Sequence, residues 1–369
     1  MTRSKSKSPA KPKPKSSPKA PARSDGPAPR RSQPPPRPAL KSPQARFAGI
    51  PSFLRTPVHD QGLPPVDVLL CGAPFDGGTS FRPGARFGPR AVREASALSR
   101  PYSQALGVDI FDELTVADGG DVGASSHDVE GALDAIAARA EAIAETGAIC
   151  GFVGGDQTVT LGALRGLRRA KHKSVGLLHI DSHVNASPAA ADGRDLHHGS
   201  VIRHAAQEGL IRPEATMQLG VRGPYSSGDD LAFALGRGFE VVSTDDVRWD
   251  LHAVVSQVRR LAEKGPLYVS VDVSVLDPAY APGTGFPVPG GLSTWELQQI
   301  LRALVGAEIA GFDVVEIAPA YDLSGITGIV GVTILQEILA ALADTRRSAR
   351  PAKSSRGQDS ARRGKRVSP

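Results

Sequence analysis

Four short clusters in this chain combine carboxylates, imidazoles and small polar groups in spacings that can do chemistry. They are Gly154-Gly155-Asp156-Gln157, Asp181-Ser182-His183-Val184-Asn185, Asp272-Val273-Ser274, and Glu316. Asp181 and His183 lie two apart, as do Asp272 and Ser274, so wherever an extended conformation persists their side chains point to one side, with Asn185 as a third. A carboxylate and an imidazole from one loop with a carboxylate from another make an oxygen and nitrogen donor set suited to Mn, Fe, Co or Zn. Ca or Mg would prefer oxygen alone. Each residue also has a plainer reading: Asp181 caps the next turn, His183 is a satisfied interior histidine, and Asp272 bonds backbone amides.

The elements around these clusters decide whether they can meet. Short runs of β-branched and apolar residues recur at Val66 to Cys71, Ala148 to Val153, Ser174 to Ile180, Thr216 to Val221, Leu267 to Val273 and Ile309 to Ile317. Runs of this length without alternating polarity are the pattern of strands covered on both faces. Between them, Val129 to Glu145, Leu251 to Glu263, Thr294 to Val305 and Thr327 to Leu342 carry apolar residues at helical spacing. Strands and helices in alternation predict one α/β domain with a central, mainly parallel sheet between helical layers. In such sheets ligands bind beyond the carboxyl ends of the strands. Each polar cluster follows a strand, so all four can converge on one cleft.

Charge divides the chain into three regions. Residues 1 to 46 hold 13 Lys or Arg against one acid and 12 of the 31 prolines, and residues 346 to 369 hold nine basic residues against one acid. The stretch 47 to 345 carries 22 basic and 36 acidic residues, so the excess of positive charge belongs to the ends. Both ends are predicted to be disordered tails, since their apolar content is too small to offset chain entropy. Flexible basic arms can hold a polyanion such as nucleic acid through counterion release. No aromatic residue precedes Phe47 to stack on a base, so such contact would lack sequence preference. No apolar run reaches the roughly 18 residues a membrane-spanning helix needs, which argues against a membrane protein. The N-terminus lacks a secretory apolar segment, so cytoplasm is the expected compartment. Cys71 and Cys150 each lie within an apolar stretch, the pattern of buried thiols rather than of a disulfide framework or zinc finger.

At the polar clusters the chain resembles the ureohydrolase superfamily of arginases, agmatinases and formimidoylglutamases, and within it the agmatinase branch most closely. The stretch from Gly72 to Arg93, Gly-Ala-Pro-Phe-Asp-Gly-Gly-Thr-Ser-Phe-Arg-Pro-Gly-Ala-Arg-Phe-Gly-Pro-Arg-Ala-Val-Arg, is similar to the agmatinase N-terminal loop. Ser270 to Pro278, followed by Ala281 to Gly285 and Gly290 to Leu292, resembles a later family signature, and Val314 to Asp322 resembles the last. The resemblance runs from about residue 50 to 343. It implies a three-layer arginase-like α/β fold, assembly into trimers or hexamers, a small guanidino or amine ligand, and release of urea by hydrolysis of a C–N bond.

The same resemblance implies two Mn2+ ions held by six ligands, and here the chain departs from the pattern. Gln157 stands where the family has histidine, Asn185 where it has aspartate, and Ser274 where it has aspartate, while Asp181, His183 and Asp272 keep the ligand type. One weakly held Mn2+ or none is therefore expected rather than a pair, because even changes behind a ligand typically cost about 10- to 100-fold in affinity. His198, followed by Gly199, matches the family's proton-transfer histidine, with His197 beside it as a competing assignment. Glu316 matches the carboxylate that receives the substrate guanidinium. Two readings stand open: an agmatinase-like hydrolase with a reduced metal site, and a non-catalytic relative serving as a ligand-binding or assembly subunit.

Overall fold

The computed structural model describes residues 45 to 350 except 60 to 63, 124, 126, 172, 191 and 226. The basic tails expected at 1 to 46 and 346 to 369 therefore fall largely outside the described residues. Where they are described they join the domain. Arg46 donates to the carbonyls of Ala97 and Ser99, and the last helix continues to Ser348, past the boundary expected at Thr345.

The strands are β1 (Val68–Ala73), β2 (Tyr102–Ser103), β3 (Val108–Asp109), β4 (Val116–Asp121), β5 (Ile149–Gly154), β6 (Val175–Ile180), β7 (Ile211–Val221), β8 (Glu240–Ser243), β9 (Leu267–Asp272) and β10 (Ile309–Val315). The helices are α1 (Gly88–Ala95), α2 (Ile110–Glu113), α3 (Val129–Glu145), α4 (Thr158–Lys171), α5 (Val201–Gln207), α6 (Asp229–Gly236), α7 (Thr244–Trp249), α8 (Leu251–Ala262), α9 (Thr294–Arg302) and α10 (Ile326–Ser348). Eight strands form one sheet in the order β4-β1-β5-β10-β9-β6-β7-β8. Every neighbouring pair is parallel, as the alternating pattern predicts. Among the described residues only β2 and β3 pair antiparallel, as a separate ribbon.

Period-two alternation within each strand sends side chains into two cores. Leu70, Leu178, Ile180, Val269 and Phe312 join one core with helices α8, α9 and α10. Leu69, Cys71, Cys150, Leu177 and Tyr268 join the other with α3, α4 and α5. Both faces are therefore dry, which is why the central strands read as unbroken apolar runs. The outermost strands β4 and β8 carry no such run: Val-Ala-Asp-Gly-Gly-Asp and Glu-Val-Val-Ser pair with a single neighbour and give no strong pattern.

Helix α10 corrects the composition reading. It is long and apolar enough to cross a membrane, where no such stretch was expected, yet 78% of its most apolar window is buried inside the fold. It packs on α1, α2 and α9, and its one acidic residue in the buried stretch, Glu337, receives both Nε and Nη2 of Arg302. The apolar surface of α10 is spent on the domain's own core.

Gly155 is where the fold and the cleft are tied together. Its N–H donates to Ala73 O at 2.7 Å, and its carbonyl accepts the Glu316 N–H at 2.8 Å. A β-carbon there would lie 1.4 Å from Phe75 O, so no larger residue fits without moving the backbone. Gly155→Ala is expected to destabilise the domain by about 3 kcal/mol or more, measured by chemical denaturation. A cost within error of zero would show that the loop after β1 yields freely.

Candidate functional site

The carboxyl ends of β5, β10, β9 and β6 lie side by side in the sheet, and the polar residues leaving them meet in one cleft. Glu316 links three segments. Its Oε1 accepts the Gln157 backbone N–H at 3.0 Å and lies 2.9 Å from His198 Nδ1. Its φ of 63° is a left-handed conformation that a non-glycine residue keeps only when its surroundings enforce it, here through the bond from its own N–H to Gly155 O. His198 Nε2 in turn lies 2.9 Å from Ser80 Oγ, which brings the loop after β1 to the cleft.

Asp181 is fully buried and each of its oxygens is occupied. Oδ1 accepts the His183 backbone N–H at 2.8 Å and Ser274 Oγ at 3.1 Å, and Oδ2 accepts Asn185 Nδ2 at 2.5 Å. His183 Nδ1 lies 3.3 Å from Oδ1, and His179 Nε2 lies 3.2 Å from Oδ2, the latter without the angle of a hydrogen bond. The extended run expected from Asp181 to Asn185 is corrected. The chain curls directly after Ile180, and Asn185 sits at φ 51°, a conformation asparagine tolerates better than most residues. The turn rather than the strand pleat returns its amide to Asp181. Asp272 behaves alike, its Oδ1 accepting the Ser274 N–H at 2.6 Å within the turn Val273–Val275. Ser182 Oγ joins Ser274 Oγ at 2.8 Å and His183 Nδ1 at 2.9 Å, so the loops after β6 and β9 are stitched together.

Gln157 is set from beneath. Tyr268, Ser270 and Thr160 all donate their hydroxyl protons to the buried Asp313 carboxylate, at 2.8, 2.7 and 2.8 Å. The Ser270 and Thr160 oxygens are left only as acceptors, and Gln157 Nε2 donates to both, at 2.9 and 2.8 Å. That arrangement fixes the amide orientation, and Gln157 Oε1 is left buried with no hydrogen-bond partner.

The electrostatics follow from crowding carboxylates in a dry place. Burial pushes Asp272 well above the usual carboxylate range, and the charges of Asp181 and Glu316 add to this. Burial, with Glu316, raises Asp156 to about 6. Asp181 goes the other way: burial opposes its charge, but His179 and His183 outweigh it and hold the pKa down. For His198 burial lowers and Glu316 raises, and the net is upward. Burial and the charge of His198 lower its neighbour His197 to about 4. His197 Nδ1 accepts the Gly199 N–H, so His197 caps a turn and His198 faces the cleft.

The expected residues Asp181, His183, Asp272, Gln157, Asn185, Ser274, His198 and Glu316 thus come together. Among the described residues no three His, Cys, Asp or Glu side chains are disposed around one point as metal ligands would be. Sequence reasoning passed over His179, although it lies two residues before Asp181 on the same strand face. It also missed Asp313 and its hydroxyl donors, and Arg222, which donates to the carbonyls of Ser274, Val275 and Val288. A charged residue inside an apolar run, as Asp313 is, was the available signal.

Residues 66–341 match the profile of the arginase family, and the chain belongs to that family. It is 40% identical to proclavaminate amidinohydrolase of Streptomyces clavuligerus over 80% of this chain and 93% of that protein. It is 39% identical to guanidinopropionase of Pseudomonas aeruginosa, over 81% and 94%, and 38% identical to the mitochondrial agmatinase of Gallus gallus, over 81% and 87%. The solved structure of the Streptomyces clavuligerus proclavaminate amidinohydrolase superposes with a TM-score of 0.77 at 38% identity, covering 82% of this chain and 100% of that one. The three-layer arginase-like fold read from the sequence is the fold observed.

The His198–Glu316 pair makes stability depend on pH. A histidine whose pKa is raised by folding binds its proton more tightly in the folded chain. The pair therefore contributes fully below the ordinary value of 6.5 and is lost as pH climbs through the raised value. His198→Ala is expected to lower the thermal midpoint at about pH 6 and to change it little at about pH 9. An equal loss at both would reject the ion pair.

Proposed function

We propose that this chain binds an agmatine-like guanidino compound in the cleft, with Glu316 as the guanidinium acceptor and His198 as its proton-holding neighbour, and does not hydrolyse it. The observation that carries this reading is the state of Asp181. Both of its oxygens accept hydrogen bonds from Asn185 and Ser274, two of the three neutral side chains that stand at family ligand positions. The third, Gln157, spends its amide protons on Thr160 and Ser270. Such a donor set does not fit two divalent ions, because with Gln157, Asn185 and Ser274 neutral only Asp181 and Asp272 remain as charged oxygen ligands. A single weakly held Mn2+ at Asp181, His183 and Asp272 is the most it supports. Without an activated water, general base catalysis by His183 or His198 adds typically about 10² to 10⁴-fold, too little for guanidine hydrolysis. Recognition is better served. A guanidinium offers a planar fork of donors that a carboxylate matches, and Glu316 Oε2 has no hydrogen bond among the described residues.

A second reading, agmatinase-like hydrolysis releasing urea, is supported by the near full-length similarity to relatives named as hydrolases. In it Asp181, His183 and Asp272 would hold the one ion. By analogy with the family we also propose assembly into a homo-oligomer, a trimer or hexamer. Non-specific polyanion contact through the basic tails is part of the proposal and is checked by salt-dependent DNA retention after deleting residues 1 to 46. The cytoplasmic placement is likewise carried as a proposal, since the chicken relative is named mitochondrial.

Purified protein given agmatine or 4-guanidinobutyrate, with and without added Mn2+, is expected to release no urea. Calorimetry is expected to show agmatine binding that Glu316→Gln weakens about 10- to 100-fold, the range for a hydrogen bond to a charged group. The triple variant Gln157→His, Asn185→Asp and Ser274→Asp is expected to gain bound Mn by mass spectrometry and some urea release. Urea from the unaltered chain would establish the hydrolase instead.

A further inference from the structure

Two phenylalanines from loops far apart in the chain stand at the mouth of the cleft. Phe81 is 69% exposed and Phe286 is 41% exposed, and their rings meet edge to face at 5.7 Å. The Phe286 ring also lies 5.9 Å from those of His183 and His198, so it overhangs the polar floor. Its seat is close and firm. A β-carbon at Gly285 would lie 2.8 Å from Arg82 O and 3.7 Å from Glu316 Oε2, so the loop bearing Phe286 presses on the loop bearing Phe81 and lies directly above the free oxygen of Glu316. Arg222 Nη2 pins the same loop, donating to Val288 O at 2.6 Å and to Ser274 O at 2.7 Å. Large rings in edge-to-face contact, partly in water, over a floor of carboxylates offer negative faces to a weakly hydrated flat cation.

Two of the three arginines near this mouth spend their donors within the fold. Arg82 lies over the Tyr321 ring at 3.8 Å. Arg194 donates to Asp192 and to Gly77 O, and Arg86 pairs with Asp76. Over Phe286 a ligand carboxylate meets an apolar ring with buried acids beneath it, while the Arg82 guanidinium is turned onto Tyr321. We infer, on the reading that a guanidino compound binds at Glu316, that Phe286 determines specificity, stacking on the guanidinium and admitting guanidines with apolar or cationic tails in preference to carboxylate-tailed ones.

The test is calorimetry on the full chain with agmatine, butylguanidine and 4-guanidinobutyrate. The unaltered protein is expected to bind agmatine and butylguanidine at least about tenfold more tightly than 4-guanidinobutyrate, the size of a single unfavourable charge contact. Phe286→Ala is expected to weaken the first two about 5- to 30-fold, and Phe286→Leu, which keeps apolar bulk without a π face, to weaken them as much. Phe286→Tyr is expected to restore them. Wild-type affinity in Phe286→Leu, or 4-guanidinobutyrate binding as tightly as agmatine, overturns the inference. Binding that depends on Glu316 but ignores Phe286 sinks the inference alone, whereas the absence of guanidine binding, or indifference to Glu316→Gln, removes the underlying reading as well.

Discussion

Four carboxylates, Asp156, Asp181, Asp272 and Glu316, are buried within one cleft, and the rest of the site is arranged around the cost of keeping them there. Like charges in a low-dielectric space cannot all ionise without partners. The fold answers in three ways. His198 holds a proton beside Glu316. Asp181 stays charged because His179, His183, Asn185 and Ser274 surround it. Asp272 and Asp156 relieve the crowding by keeping their protons to higher pH. The neutral donors beside Asp181 are the Asn185 amide and the Ser274 hydroxyl.

The layer below the cleft makes that exchange consistent. A buried amide is tolerable only when its donors and acceptors are matched, and Asp313 decides which way Gln157 faces by absorbing three hydroxyl protons. Gln157 Oε1 stays buried without a hydrogen-bond partner among the described residues. Arg222 plays the corresponding role on the other side. Burial lowers its pKa while Asp181 and Asp272 oppose that, and it spends its protons on backbone carbonyls. The loops bearing Ser274 and Val288 are thereby tied together by one side chain.

Much of the fold was legible because both sheet faces are dry. Central strands such as Val175–Ile180 and Leu267–Asp272 read as apolar runs, and α3 runs over the same residues, Val129 to Glu145, that its periodicity predicts. The edge strands β4 and β8 were not legible, since half-covered strands carry little pattern. Helix α10 was legible as a helix over Thr327 to Leu342, and its hydrophobicity is that of a core helix. At the cleft the residue types were readable but their geometry was not. The two-residue spacing from Asp181 to Asn185 suggested a pleated alignment, and backbone turns closed by the aspartates themselves produced the convergence instead.

Alone, the amino-acid order determined the family, the parallel sheet and the identity of the residues that meet, because those follow from motif spacing and from which runs must escape water. It also determined that Gln157, Asn185 and Ser274 are uncharged. Only the tertiary structure decided that Asn185 and Ser274 bond to Asp181, that Gln157 is locked by Asp313, and that the Phe286 ring meets His183 and His198. Each of these depends on side chains brought together from separate loops or on turns after strand ends, where packing rather than local propensity sets the direction of a side chain.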